Sequence, residues 1–216
     1  MHRTSARRGS PRPMQLRGGN LRRALAQEAA RIMAQQGIRD FLTAKRKAAD
    51  RLGVTDSSVL PRNTEIEEAL AEYQRLFDSR AHRRSLESQR RAALRAMHWL
   101  AQFQPRLVGS VLSGTATEHA DIQLHLFADR PENVALQLLD HGVAHEITER
   151  RVRLDVERIK AFPGLRFAVE NRSIDVTVFP PDGIRQAPAS PVDGKPMRRA
   201  DADELQSLID DADEDG

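Results

Sequence analysis

Between Leu107 and Phe127 the chain reads LVGSVLSGTATEHADIQLHLF, and its last seven residues alternate polar and apolar side chains. A period of two belongs to a strand, which sends Asp121, Gln123 and His125 to one face and Ile122, Leu124 and Leu126 to the other. One face is core, and the other lines up three side chains able to hydrogen-bond or ligate. The stretch is entered by a short apolar run ending in Gly109-Ser110.

Upstream the periodicity is helical. Asn20 is placed to cap a helix over residues 21–36, with Leu21, Leu25 and Ile32 on one stripe and Gly37 as its stop. A second helix, over residues 38–52 and ended by Gly53, turns Phe41, Ala48, Ala49 and Leu52 inward and leaves Arg39, Lys45, Arg46, Lys47 and Arg51 outside. Thr64 and Glu67 have capping-box spacing for a third, in which Ile66, Leu70, Tyr73 and Phe77 recur at i, i+4, i+7 and i+11. A fourth, over residues 83–103, buries Leu86, Ala93, Leu94, Met97 and Leu100 and turns Trp99 toward the preceding helices. From Arg80 to Arg95 six arginines face the single acid Glu87, a surface that either meets phosphates or is simply solvated.

Downstream, Asp129 is placed to cap a helix begun by Pro131 and running to His141, with Val134, Leu138 and Leu139 apolar and Gly142 as stop. Strand patterns follow over residues 145–154, 164–169 and 173–179, the last two joined by a turn at Glu170-Asn171-Arg172. Ile174, Val176 and Val178 share one face of the final strand; Asp175, Thr177 and Phe179 share the other. Residues 180–201 carry Pro, Gly and Ser at turn positions and read as loop, with a short helix over residues 203–209. The fold class expected is α+β: a small mixed sheet flanked by helices and preceded by a helical N-terminal region.

The ends carry opposite charge. Residues 1–23 hold seven arginines and no acid, whereas residues 201–216 hold eight acids and no base. The organisation expected is a basic disordered tail (1–20), a helical region (21–80), an α+β domain (81–200) and an acidic tail (201–216). The basic tail reads as solvated chain, as sequence upstream of a start at Met14, or as a nucleic-acid-binding arm. Cysteine is absent, which excludes a disulfide framework, a thiolate metal site and a thiol nucleophile. No apolar run approaches a membrane span or a secretory core, so no membrane partner and a cytoplasmic location are expected.

The order of helix, short strand, Gly-Ser, ten residues, Asp-x-polar on a strand, helix, and strands ending in another lone Asp resembles the polymerase-beta-type nucleotidyltransferase superfamily over about residues 86–180. The matching residues are Val108-Gly109-Ser110, Asp121-Ile122-Gln123 and Asp175. That resemblance implies metal-dependent transfer of a nucleoside monophosphate from an NTP to a hydroxyl, on a nucleic acid, a protein or another acceptor. Asp121 and Asp175 would ligate Mg2+, and Gly109 and Ser110 would hold phosphate. The family's second acid is Gln123 here, whose amide oxygen can ligate but adds no charge, so one ion rather than two is expected.

Around this set, His125 lies two residues along the same face and is placed to donate to phosphate or to act as a base, with Mn2+ as the alternative ion. Arg185, Lys195, Arg198 and Arg199 fall in the loop after Asp175, placed in sequence to meet a triphosphate. Two other readings remain open: a catalytically degenerate nucleotide- or nucleic-acid-binding protein, and a regulatory or scaffold protein working through the basic helical N-terminal half.

Overall fold

The computed structural model describes residues 18–77, 79–155 and 158–214. The expected basic arm lies almost wholly outside them, as do the side chain of Phe77 and the last two acidic-tail residues. The described chain is α+β, with α1 (Gly18–Gln36), α2 (Phe41–Leu52), α3 (Asn63–Phe77) and α4 (Ser79–Trp99) preceding the sheet. Then come β1 (Arg106–Val108), α5 (Ser110–Ser113), β2 (Ile122–Phe127), α6 (Pro131–Asp140), β3 (His145–Arg153), β4 (Ile159–Val169), β5 (Arg172–Phe179) and α7 (Ala202–Glu214). No described helix is long and apolar enough to cross a membrane.

The strands form one sheet in the order β1-β2-β5-β4-β3. Only β2 and β5 run parallel; the chain passes between them through α6 and the β3-β4 hairpin. On one sheet face Ile122, Leu124, Leu126, Ile174, Val176 and Val178 pack against α4 residues such as Ala93, Met97 and Leu100, all fully or almost fully buried. Each large apolar side chain removed from water there contributes about 1.5–3 kcal/mol. Leu205 and Ile209 of α7 close the same core, and the helix runs on to Glu214 instead of ending near residue 209. The N-terminal helices keep their own apolar cluster around Leu25, Ile32, Ala48 and Ile66.

Several local expectations give way to the geometry. Helix α2 starts at Phe41, where Asp40 accepts the Thr43 N–H at 2.7 Å, and Leu52 is exposed rather than inward. The capping interaction of α3 belongs to Glu65, which accepts the Arg62 N–H at 2.7 Å; Glu67 instead points to Ser113 and Thr115. Asp129 caps nothing at α6, whose N-cap is Arg130, and Leu139 is exposed. Trp99 turns toward α6, stacking on His141 at 5.6 Å while its carbonyl accepts from Gln137. The basic row of α4 is also not free: half-buried Arg90 donates to the Leu208 carbonyl, Arg91 pairs with Glu87 and Arg95 with Glu170.

A candidate cleft beside a row of paired charges

Strand register decides which polar residues meet. Val108 pairs with Gln123, Gln123 with Asp175, Asp175 with Arg166 and Arg166 with Glu146, so a single row crosses all five strands on the face opposite the main core. The next row holds Arg106, His125, Thr177, Gly164 and Thr148. Beyond it Phe127, Phe162 and Phe179 form an aromatic cluster. The face thus passes from charged to aromatic within five residues of β2.

Asp121, Gln123 and Asp175 come together at the charged end, as expected. Each aspartate, however, is engaged by arginine. Arg39, in the link between α1 and α2, donates to Asp121 Oδ2 and to the His119 carbonyl, and Arg166 lies 3.9 Å from the same carboxylate oxygen. Arg150 on β3 reaches across β4 to Asp175 Oδ1. Burial pushes the Asp175 carboxyl above its ordinary value, against the pull of Arg150 and Arg166, and the neighbouring Asp121 adds to the upward push.

Gly109 turns the chain at φ +74° and ψ −155°, a conformation reserved for glycine. A Cβ there would sit 2.7 Å from Gln123 Oε1, so the amide of Gln123 is packed against the glycine corner. Ser110 opens the four-residue α5 just beyond it. Gly109, Ser110, Asp121 and Gln123 line a cleft of about 530 Å³ whose opposite wall comes from the N-terminal helices.

The remaining expected site residues divide. Lys195 and Arg198 line this cleft, although Arg198 also pairs with Glu204 at 2.5 Å. Arg185 sits in the 3-10 turn Pro181–Arg185, away from the cleft lining. Arg199 turns to the other side, donating from Nε to His125 Nδ1 at 3.2 Å and from Nη1 to the Gly183 and Ile184 carbonyls, with its guanidinium 5.1 Å from the Phe127 ring centre. His125 is 5% exposed and packs edge-on to Phe179 at 4.8 Å. Burial first, then the Arg199 charge, lower its pKa to about 3. Its ring is thus packed between Phe179 and Arg199 instead of lining the cleft.

Both carboxylates expected to ligate a cation are paired with arginine. No group of three acidic or histidine ligands gathers among the described residues. The two carboxylates are matched by Arg39, Arg150 and Arg166, and the buried atoms left without partners beside them, Arg150 Nε and Arg166 Nε, are donors.

The ten-residue spacer before Asp121 is gripped from the helical side. Gln74 Nε2 donates to the Thr115 and Ala116 carbonyls at 3.1 and 3.3 Å, and Gln89 Nε2 donates to Thr117 O at 2.9 Å. Both glutamines are buried, and Gln74 lies i+4 from Leu70 on the apolar stripe, a sequence signal for a polar group with a tertiary task. Arg150 offered no such signal, since it sits in the charged run Glu149-Arg150-Arg151, and nothing near Arg39 or Arg166 in sequence points to their distant partners. No protein-family model, curated protein or solved structure matches this chain.

Proposed function

We propose that this is a catalytically degenerate protein of the nucleotidyltransferase type, which binds a nucleoside triphosphate in the cleft beside Gly109 without depending on a metal ion. The observation that carries this reading is the neutralisation of Asp121 by Arg39 and of Asp175 by Arg150, with Gln123 in the place of the second acid. A dication needs uncompensated carboxylates. Here arginines fill that role, while Lys195 and Arg198 on the cleft wall and the Ser110 hydroxyl beside Gly109 are suited to phosphate oxygens.

Titration calorimetry of the full chain with ATP, GTP, CTP and UTP in EDTA tests the reading. Binding that persists in EDTA, and that weakens at least about tenfold in a Lys195→Ala, Arg198→Ala double variant, is expected; absence of binding by all four sinks it. Gln123→Asp supplies the converse test: a degenerate site gains Mn2+ affinity when the acid is restored. The shared row of Gln123 and Asp175, which brings Asp121 close to Asp175, favours a second reading, active transfer of a nucleoside monophosphate to a hydroxyl. Pyrophosphate release from an NTP with Mg2+ or Mn2+, abolished in Asp121→Ala, would replace the first reading with the second.

A further inference from the structure

Between α5 and β2 the chain has no regular structure, so its backbone carbonyls find no helix or sheet partners. From Gly114 to His119 every one of them is taken by a side chain from another element. His82 Nε2 and Gln89 Nε2 of α4 donate to the Gly114 and Thr117 carbonyls at 3.0 and 2.9 Å. Arg172 Nη1 of β5 donates to the Glu118 carbonyl at 2.9 Å, and Arg39 to that of His119. Gln74 of α3 takes two at once, Thr115 and Ala116 at 3.1 and 3.3 Å, which uses both N–H groups of its amide.

The two buried glutamines grip different parts of this segment. Gly114, Thr115 and Ala116 all send their N–H groups back to the Ser110 carbonyl, at 2.9, 3.0 and 3.1 Å. Thr115 and Ala116 therefore link Gln74 directly to the residue after Gly109. Past Ala116 that link ends: the Thr117 carbonyl held by Gln89 also receives the Ala120 N–H at 3.0 Å, a turn closed within the segment. Gln74 is not among the residues lining the cleft beside Gly109, whereas Ser110 and Thr115 are.

Resting on the nucleotide reading above, we propose that Gln74 is a positioning residue for the nucleotide. Through Thr115 and Ala116 it fixes the Ser110 peptide at the glycine corner, and with it the point from which the Ser110 hydroxyl reaches a phosphate oxygen. Groups that touch a ligand hold their geometry only where a supporting layer of hydrogen bonds locks them. Here that layer comes from α3, so the helical N-terminal region shapes the phosphate end of the cleft through a residue outside it.

The test is titration calorimetry of the full chain in EDTA, with whichever of ATP, GTP, CTP and UTP the wild type binds most tightly. It compares Gln74→Met with Gln89→Met, each of which deletes a buried donor amide from the same segment. Gln74→Met is expected to weaken binding about tenfold and Gln89→Met less than about threefold. In a Ser110→Ala chain, where the hydroxyl is gone, Gln74→Met should add less than about threefold. Equal losses in the two glutamine variants, or an undiminished Gln74→Met effect in Ser110→Ala, overturn the positioning role and leave the nucleotide reading standing. Failure of all four nucleotides to bind the wild type overturns both. Where Gln74→Met does not fold, amide exchange in the wild type decides. Saturating nucleotide should slow the Thr115 and Ala116 amides, whose acceptor is Ser110, more than the Ala120 amide, whose acceptor is Thr117; uniform slowing overturns the role.

Discussion

Arg150 on β3 pairs with Asp175 on β5, two strands away, by passing over Gly164 on the strand between them. A Cβ at position 164 would lie 2.7 Å from Thr148 Oγ1, 2.8 Å from the Val176 carbonyl and 3.1 Å from Arg150 Cγ. The missing side chain is what allows an edge-strand cation to reach a central-strand carboxylate.

Gly164→Ala should therefore destabilise the protein by about 1–3 kcal/mol, because backbone as well as side chains must shift. Urea unfolding of Gly164→Ala, Arg150→Ala and the double variant checks the route. Sub-additive losses in the double variant are expected if the alanine acts by displacing Arg150; simple additivity would refute that cause.

Gly109→Ala should cost about 1–3 kcal/mol, since it forces a side chain into a glycine-only conformation and against Gln123 Oε1. Adding Gln123→Ala removes the contact while the backbone strain stays, so the double variant should recover part of the loss, read from the shift in denaturation midpoint.

Removing Arg39 separates the N-terminal helices from Asp121. The arginine side chain is 51% exposed while that of Asp121 is 12% exposed, so solvent weakens the pair and Arg39→Ala should cost only about 1 kcal/mol. Amide exchange in residues 117–121 should quicken at the same time, because the His119 carbonyl loses its donor. Unchanged exchange there would show that the contact anchors nothing.

His125 gives the protein a defined acid sensitivity. Its ring is held neutral down to a pKa of about 3 in the fold, against an ordinary value of 6.5 when unfolded. Between those values the unfolded chain binds the extra proton, so stability falls as pH drops below about 6.5, by up to about 1.4 kcal/mol per pH unit. His125→Gln keeps an acceptor for Arg199 and removes the titration. The variant should be less stable than the wild type near neutrality, and its urea midpoint should fall less between about pH 6.5 and pH 4.5. A wild-type ring that titrates near 6.5 by NMR would contradict the burial argument.

Much of this architecture was legible in the chain. Alternation over residues 121–127 and 173–179 placed β2 and β5 and sorted Ile122, Leu124, Ile174 and Val176 to the core, since a half-buried strand has no other way to arrange them. Gly37, Gly53 and Gly142, all at positive φ, marked helix ends correctly. Where the text of the chain misled, a neighbour distant in sequence had taken over a residue: Glu67 belongs to Ser113 and Thr115 rather than to a cap, Arg199 to His125 rather than to the cleft, and Trp99 to His141.

The sequence by itself determined the element types, the glycine corner and the side of its own strand on which each of Asp121, Gln123 and Asp175 lies, because these follow from local sterics and periodicity. Only the tertiary structure decided what those aspartates pair with. Arg39, Arg150 and Arg166 come from a helix link and two other strands, and no local pattern records that β-sheet register and the gap at Gly164 bring them to the carboxylates. Charge pairing depends on distance in space, and only the fold brings these arginines within reach of the two carboxylates.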